Sequence, residues 1–220
     1  MAKRAPGLEK VVSIIPKALH ELGSKQEREF YQHWVLWHWA DIVGEAYAQN
    51  VKAVRKLNML ANLMQRRISS DQENLTVSYE IHGGEDMTKP FASWYNEMLR
   101  KSQETDILRG STSYGPHHDD IVLTVNGINL RTFGSQGQQR TGVLSLKLAE
   151  LEFLRSETGE YPILLLDDVM SELDVKRRQQ LLHFIRRERI QTLITATDAA
   201  YFPAEGMGQY YHVRSGQIST

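Results

Sequence analysis

The chain has 220 residues, of which 41% are hydrophobic and 24% charged, an ordinary composition for a protein with a packed core. Its formal net charge of −1 excludes a strong overall positive field, and the absence of cysteine excludes disulfides and thiolate metal sites. The basic N-terminus precedes an apolar run that is too short for a signal peptide and is interrupted by Pro16. No stretch approaches the length of a membrane span, so we expect a cytoplasmic protein of one medium or two small domains.

The N-terminal third has the pattern of helices. Apolar residues recur at helical spacing over residues 8–23, and residues 26–66 are compatible with one long helix that can break at Gly44. Three of the four tryptophans lie in the second stretch: Trp34, Trp37 and Trp39. Aromatic residues at this spacing favour a helical core over a nucleic-acid stacking platform.

The rest of the chain alternates strands with helices and predicts an α/β fold. The predicted strands cover residues 74–81, 121–125, 162–166 and 191–195, and the predicted helices cover residues 90–104, 138–156 and 174–188. Asn126-Gly127 and Ser215-Gly216 predict two hairpin turns, because such pairs readily adopt positive φ.

The segment YPILLLDDVMSELD (residues 161–174) carries two adjacent carboxylates, Asp167 and Asp168, at the end of an apolar strand. Ligands of α/β sheets bind at the carboxyl ends of strands. One carboxylate can hold Mg²⁺ through water and the other can orient a water that attacks a γ-phosphate. The alternative is a buried strand followed by a helix cap. Two neighbouring carboxylates repel each other, which favours a cation.

The segment FGSQGQQRTGVLSLKLAELEFL (residues 133–154) starts with small residues and continues as a helix. Gly134, Ser135 and Gly137 allow close backbone approach, and the helix N-terminus offers N–H groups and a positive dipole end to an anion. The alternative is an ordinary helix capped by Ser135.

The loop GPHHDD (residues 115–120) combines two imidazoles and two carboxylates. Four consecutive residues cannot all face one ion, so the pattern favours a structural or nucleotide-sensing loop over a metal site.

These segments, in this order and spacing, resemble the C-terminal half of the RecF family from about Lys56 to the C-terminus. This family comprises bacterial recombination mediators with an ABC-type ATPase head related to the SMC proteins. The resemblance implies a protein of DNA replication, repair and recombination, and of the SOS response, that binds ATP and Mg²⁺. The implied partners are single-stranded and gapped duplex DNA, RecR- and RecO-type mediators, and a second subunit in an ATP-dependent head-to-head dimer.

The resemblance also implies roles for particular residues. The ABC signature, which contacts the γ-phosphate of ATP held by the opposite subunit, corresponds to Ser135, Gln136, Gly137, Gln138 and Gln139. Asp167 corresponds to the Walker B carboxylate that holds Mg²⁺, and Asp168 to the catalytic carboxylate that polarises water. The D-loop that crosses the dimer interface corresponds to residues 171–174 and includes Ser171 and Asp174.

Two positions depart from patterns common in such proteins. Thr195 and Thr197 lie in the switch region, where many ABC proteins have a histidine. His118 lies where the family loop usually has an arginine, so no fixed positive charge is expected at that position.

A phosphate-cradling P-loop, Gly-x-x-x-x-Gly-Lys-Ser/Thr, does not occur in this sequence. Residues 1–55 instead weakly resemble the start of DciA-like proteins, through the segment Trp39 to Gly44. We expect three regions: a helical segment over residues 1–55, an arm-to-head transition over 56–110 and the ABC head part over 111–220. The boundary near Lys56 predicts a junction of two partial genes or a split subunit, and the alternative makes residues 26–66 the family's own helical arm.

Two functions remain open from the sequence. The first is a RecF-like ATPase that binds DNA at single-strand gaps and helps to load recombinase. The second is a non-catalytic fragment or interaction module that docks on an intact ATPase subunit. The family resemblance favours the first, whereas the missing P-loop favours the second for this polypeptide and leaves ATPase activity undecided.

Overall fold

The computed structural model describes residues 25–84, 90–109, 112–203 and 208–219, with side chains described from Val43 onward except that of Ile107. The predicted helix over residues 8–23 and the three tryptophan side chains of the long helix lie outside the described residues. The chain forms two compact units. The first contains the described residues up to Lys56 together with residues 77–122, and the second contains residues 57–76 and 123 onward.

The long helix predicted at the N-terminal side is confirmed as helix α1, Lys25–Ser69. It continues through Gly44 without a break and across the predicted boundary at residues 55 and 56. A Cβ atom at Gly44 would lie 3.0 Å from the Cβ atom of Ala92, so the glycine allows a close helix contact. The predicted division at residues 55 and 110 stays a prediction.

The first unit is built around aromatic rings. It contains helix α2, Phe91–Arg109, most of strand β1, Leu75–Glu80, and the first part of strand β2, Asp120–Val125. Its buried cluster consists of Val43, Tyr47, Ile81, Trp94, Tyr95 and Leu99.

The strongest turn signal of the sequence is confirmed. Strand β2 pairs antiparallel with the short strand β3, Ile128–Asn129, in the register Val125 opposite Ile128. The intervening Asn126 and Gly127 have φ values of 49° and 80°, as a two-residue hairpin turn requires. The sheet order is β1–β2–β3.

The second unit carries the later elements in an α/β arrangement. In chain order they are α3 (Leu130–Phe133), α4 (Gln136–Thr158), β4 (Leu164–Asp167), α5 (Val169–Glu172), α6 (Val175–Arg187), β5 (Thr192–Thr195), a 3₁₀ turn (Ala199–Tyr201), β6 (His212–Arg214) and β7 (Gln217–Ser219). Strands β4 and β5 pair in parallel, and β6 and β7 form the predicted C-terminal hairpin. An aliphatic core joins the end of α1 to α4, β4 and α6, and includes Met64, Leu148, Met170 and Leu181.

Strand β4 is covered on one face only, although a continuous apolar run is typical of a strand buried on both faces. Leu164 and Leu166 are buried, but Leu165 between them is 68% exposed, as is Leu193 opposite it at 63%. In the described part of the chain, β4 has a strand partner on one edge only. Val143, Leu154, Ile163 and Leu165 line one groove, and Leu193 lies opposite Leu165 in the strand pair. We call these five exposed residues the open apolar face.

None of the helices that the structure describes is long and apolar enough to cross a lipid bilayer.

Candidate nucleotide site

The paired carboxylates lie at the carboxyl end of β4, as the sequence predicts. The parallel register places Asp167 beside Thr195, whose hydroxyl donates a hydrogen bond to the Asp167 carboxylate. The same hydroxyl oxygen accepts a hydrogen bond from the Asp168 backbone N–H at 3.0 Å. One threonine therefore fixes the carboxylate of Asp167 and the backbone of Asp168.

Asp168 has an unusual backbone and a side chain that is not used as a cap. Its φ and ψ are 50° and 19°, in the left-handed region, and it precedes the four-residue helix α5. Its carboxylate makes no capping hydrogen bond to that helix, although this is the usual role of an aspartate at such a position. Both carboxylates are exposed to solvent. An exposed pair of oxygen ligands at a strand end fits a hydrated Mg²⁺ ion.

The N-terminus of α4 is capped by Ser135, as an ordinary helix would be. The Ser135 hydroxyl accepts from the Gln138 N–H at 3.2 Å, and the Gln138 side chain accepts from the Ser135 N–H at 3.1 Å, which completes a capping box. Gln139 donates to the Leu130 carbonyl at 2.8 Å. Two of the signature glutamines are therefore used inside the chain, while Gln136 is exposed.

The two glycines of this segment have different surroundings. A Cβ atom at Gly134 would lie 2.7 Å from the Leu130 carbonyl oxygen, so glycine is needed there for a backbone contact within the chain. A Cβ atom at Gly137 would meet only the Arg177 guanidinium, at 3.9 Å. Nothing in the described surroundings therefore requires glycine at position 137, which is an exposed position in the first turn of a 23-residue helix.

Arg177 joins the signature helix to the D-loop region. Its guanidinium donates to the Gly137 carbonyl at 3.2 Å and to the Thr141 hydroxyl at 2.6 Å, and it pairs with Glu73 at 3.1 Å. It also contacts Asp174, which caps α6 by accepting from the Arg177 N–H at 2.9 Å. The first turn of α6 is thus tied to the first turn of α4.

A second ion pair supports the same connection. Glu172 of the D-loop segment lies 3.5 Å from Arg140 of α4. Ser171 donates to the Asp168 carbonyl at 2.9 Å, which closes the turn after β4. The first turns of α4 and the segment from Glu172 to Arg177 are therefore held together within the second unit by direct side-chain contacts.

The sequence gives no prediction of this role for Arg177, Glu73 and Thr141. Glu73 is 104 residues from Arg177, and Arg177 lies in a run of basic residues that is typical of a solvated helix. The only local signal is the Asp174 to Arg177 spacing of a capped helix start.

The loop GPHHDD, in the first unit, has a structural role. Asp119 accepts hydrogen bonds from the Tyr79 hydroxyl and from the His82 N–H, and His118 is hydrogen-bonded to the Thr112 carbonyl at 2.8 Å. Among the described residues, no group of three potential ligands could hold a metal ion.

Asp119 also affects the titration of the aromatic cluster. Burial raises the pKa values of Tyr47, Tyr79 and Tyr95 above the ordinary tyrosine value, and the negative charge of Asp119 raises them further. The pKa shifts of these three phenols therefore favour their neutral form more than in an exposed tyrosine.

The carboxylates after β4, the capped helix α4 and the D-loop turn form the C-terminal part of an ABC-type ATPase head. No family model matches the chain. Comparisons with curated proteins and with solved structures agree with this class. Proteins named DNA replication and repair protein RecF are 48% identical over 161 residues in Halothermothrix orenii and 43% identical over 169 residues in Clostridium novyi. These matches cover 71% and 77% of this chain, but 43% and 45% of the relatives.

A solved structure of the recombination mediator protein RecF with ATP, from the RecFOR pathway, matches with a TM-score of 0.74 and 30% identity. A second RecF structure, described with ATPrS, matches with a TM-score of 0.68 and 31% identity. Each match covers 96% of this chain and 56% of the solved chain. The chain belongs to the RecF family and corresponds to its C-terminal half.

The chain spans less than half the length of these curated relatives. The interpretation of residues 26–66 as the family's own helical arm and the DciA-like resemblance of residues 1–55 both stay predictions.

Proposed function

We propose that this chain acts in DNA replication, repair and recombination as part of a RecF-type, ATP-dependent DNA-binding protein in the cytoplasm. In this proposal, Ser135 and the first turn of α4 contact the γ-phosphate of ATP held by a partner subunit. Asp167 would hold Mg²⁺, and Asp168 would orient the attacking water of the site on its own side of a head-to-head dimer. Single-stranded and gapped duplex DNA and RecR- or RecO-type mediators are the proposed partners.

The observation that carries this proposal is the open space at Gly137. Glycine is a poorer helix former than alanine, and no neighbour in the described chain requires it at position 137. A residue without a side chain at an exposed helix N-terminus permits close approach by a group from outside the chain. A phosphate bound to another subunit is such a group.

The first test is equilibrium binding of a labelled ATP analogue to the isolated chain. We expect weak or no binding, because the sequence holds no P-loop and its signature contacts act on a nucleotide of another subunit. Tight, Mg²⁺-dependent binding by the monomer would require a different phosphate site and would refute this assignment.

The second test measures ATP turnover by an intact RecF subunit to which this chain is added. We expect Ser135→Arg to abolish any stimulation, because a long side chain blocks the approach to the γ-phosphate. Asp168→Asn serves as the matched site variant and should leave stimulation nearly unchanged, since the working carboxylate belongs to the intact subunit. Equal damage by the two substitutions would contradict the composite site.

The open apolar face favours a second candidate function, an interaction module that docks on an intact ATPase subunit. Four of its exposed aliphatic side chains line one groove and the fifth, Leu193, lies opposite Leu165, which is typical of a surface that another polypeptide covers. We expect Leu165→Lys with Leu193→Lys to weaken co-purification with an intact subunit. The matched control is Met59→Lys with Leu63→Lys, which changes two exposed apolar residues elsewhere in the second unit. An equal loss of co-purification in the two double variants would contradict a docking role for the open apolar face.

A further inference from the structure

One face of helix α6 carries a row of basic and polar side chains along its whole length. Lys176, Gln180, His183 and Arg187 follow the spacing i, i+4, i+7 and i+11, which places them in one stripe along a helix. Gln180 is half-buried and the other three are exposed. The buried residues of the same helix lie on other faces: Leu181, Leu182, Phe184 and Ile185. We call the exposed row the α6 strip.

The positive charge of the α6 strip is poorly neutralised. Helix α6 contains no acidic residue between Val175 and Arg187. Glu188 pairs with Arg187 at 3.6 Å, but the Arg187 side chain remains 67% exposed, and an exposed pair of this kind contributes little. No carboxylate in the described part of the chain forms an ion pair with Lys176.

The position of Lys176 is unfavourable for the helix itself. Cations stabilise the last turn of a helix and destabilise the first, where the dipole is positive. Arg187 in the last turn therefore has an ordinary structural explanation, whereas Lys176 in the first turn has none. Its neighbours have internal roles, since Arg177 binds Glu73 and Arg178 lies 4.6 Å from the Tyr201 ring centroid.

A second helix adds a charge beside the strip. The guanidinium of Arg67, near the end of α1, lies 5.8 Å from the ring centroid of Phe184. On α6, Phe184 neighbours Gln180 and Arg187, at i−4 and i+3. The exposed Arg67 therefore lies along one side of the α6 strip.

We propose that the α6 strip, together with Arg67, binds the phosphate backbone of duplex DNA. The inference rests on the proposed DNA-binding function and specifies a surface for it. The strip is about 16 Å long at 1.5 Å per residue, and duplex phosphates recur every 3.4 Å of rise along each strand, so it can contact several at once. Lysine, arginine, glutamine and histidine all donate hydrogen bonds to phosphate oxygens.

The composition of the strip selects duplex DNA over other partners. It contains no tryptophan, tyrosine or phenylalanine on which unpaired bases could stack, so it does not favour single strands. It also lacks the buried aromatic and aliphatic anchors that dominate protein interfaces. Contacts to phosphates alone predict binding that is independent of base sequence and strongly dependent on salt.

The experiment is fluorescence anisotropy of a labelled duplex oligonucleotide titrated with the full chain at several salt concentrations. Lys176→Gln with Arg187→Gln is compared with the control Arg100→Gln with Lys101→Gln, which removes the same two charge types from the exposed side of α2. We expect the Lys176→Gln, Arg187→Gln variant to bind the duplex more weakly. The plot of log K against log salt should become less steep by roughly two, because each lost phosphate contact reduces its steepness by about 0.9. Lys176→Arg with Arg187→Lys should retain both affinity and slope, and melting curves should confirm that all variants are folded.

Equal affinities and slopes for the strip and control variants would overturn this inference while leaving DNA binding intact. Absence of salt-dependent duplex binding by the unmodified chain would overturn both the inference and the proposed DNA-binding function. Displacement of the duplex by polyglutamate at equal charge concentration would assign the strip to acidic polymers in general and refute its assignment to DNA.

Discussion

The first unit encloses a cluster of aromatic rings and satisfies the polar groups around it, whereas the second unit combines an aliphatic core with an open apolar face. In the first unit, Tyr47, Trp94 and Tyr95 are at most 5% exposed, and Asp119 accepts hydrogen bonds from Tyr79 and His82. In the second unit, buried and exposed leucines alternate along β4.

This difference shows that only one of the two units leaves an apolar surface uncovered among the described residues, which the sequence alone does not reveal. Both units contain hydrophobic residues in ordinary amounts, but only the second leaves an aliphatic sheet face exposed in the described structure. Such a face, on a strand that has one edge unpaired among the described residues, is a surface for another chain segment or a route to self-association. The following predictions are ordered by the expected size of the effect.

The largest expected effect compares two adjacent leucines of β4. Leu166→Ala should lower the free energy of unfolding by about 2–5 kcal/mol, because it removes a buried side chain from the core. Leu165→Ala should change it by less than about 0.5 kcal/mol, because this side chain is already exposed. Urea unfolding of the dilute monomer measures both values. A Leu165→Ala cost as large as that of Leu166→Ala would show that the apolar face is covered in solution.

The next prediction concerns the polar centre of the first unit. Asp119→Leu should lower the free energy of unfolding by about 1–3 kcal/mol, because it leaves the part-buried Tyr79 hydroxyl without its acceptor. Tyr79→Phe serves as the matched partner in a double-mutant cycle, and the two costs should be strongly non-additive. Additive costs would mean that the contact between Tyr79 and Asp119 does not stabilise the fold.

The pH dependence of stability should also distinguish the units. Burial raises the pKa of Tyr47, Tyr79 and Tyr95 in the first unit, and that of Tyr161 in the second, above the ordinary value of about 10. A raised pKa in the folded state gives stability that is complete below about pH 10 and is lost as the pH rises beyond it. Hydrogen exchange should therefore show that the first unit loses more protection in alkali. Tyr79→Phe should reduce that loss, and equal sensitivity of both units would contradict the prediction.

The smallest expected effect is a stabilisation. Gly137→Ala should raise the free energy of unfolding of the isolated chain by about 0.5–1 kcal/mol, since alanine favours a helix and the space for its Cβ atom is open. The same substitution should impair the stimulation of an intact subunit, because it adds a methyl group at the proposed phosphate contact. Gly134→Ala is the contrasting variant and should destabilise the chain through its contact with the Leu130 carbonyl. A loss of stability in Gly137→Ala would indicate an internal reason for the glycine.

Local sequence signals predict the elements and part of the site. Asn126-Gly127 specifies a hairpin because few other pairs tolerate two positive φ values, and Ser135 specifies a helix start because its hydroxyl can cap the first turn. The apolar run before Asp167 indicates a strand, although the strand begins two residues later than predicted. These features depend on neighbours within a few positions of the chain.

The remaining features depend on residues that are distant in sequence. The hydrogen bond from Thr195 to Asp167 requires the register of β4 and β5, which no local pattern encodes. The pairing of Arg177 with Glu73 requires the end of α1 and the start of α6 to meet. The exposure of Leu165 could not be predicted either, because a continuous apolar strand is typical of burial on both faces.

The backbone conformation of Asp168 determines which substitution can isolate its chemical contribution. At φ 50° and ψ 19°, asparagine is tolerated nearly as well as aspartate, whereas alanine or glutamine would add strain of about 1–2 kcal/mol to any loss of the carboxylate. Asparagine removes the negative charge and retains the size and the turn geometry. Asp168→Asn is therefore the variant that tests the negative charge alone while leaving the turn that follows β4 in place.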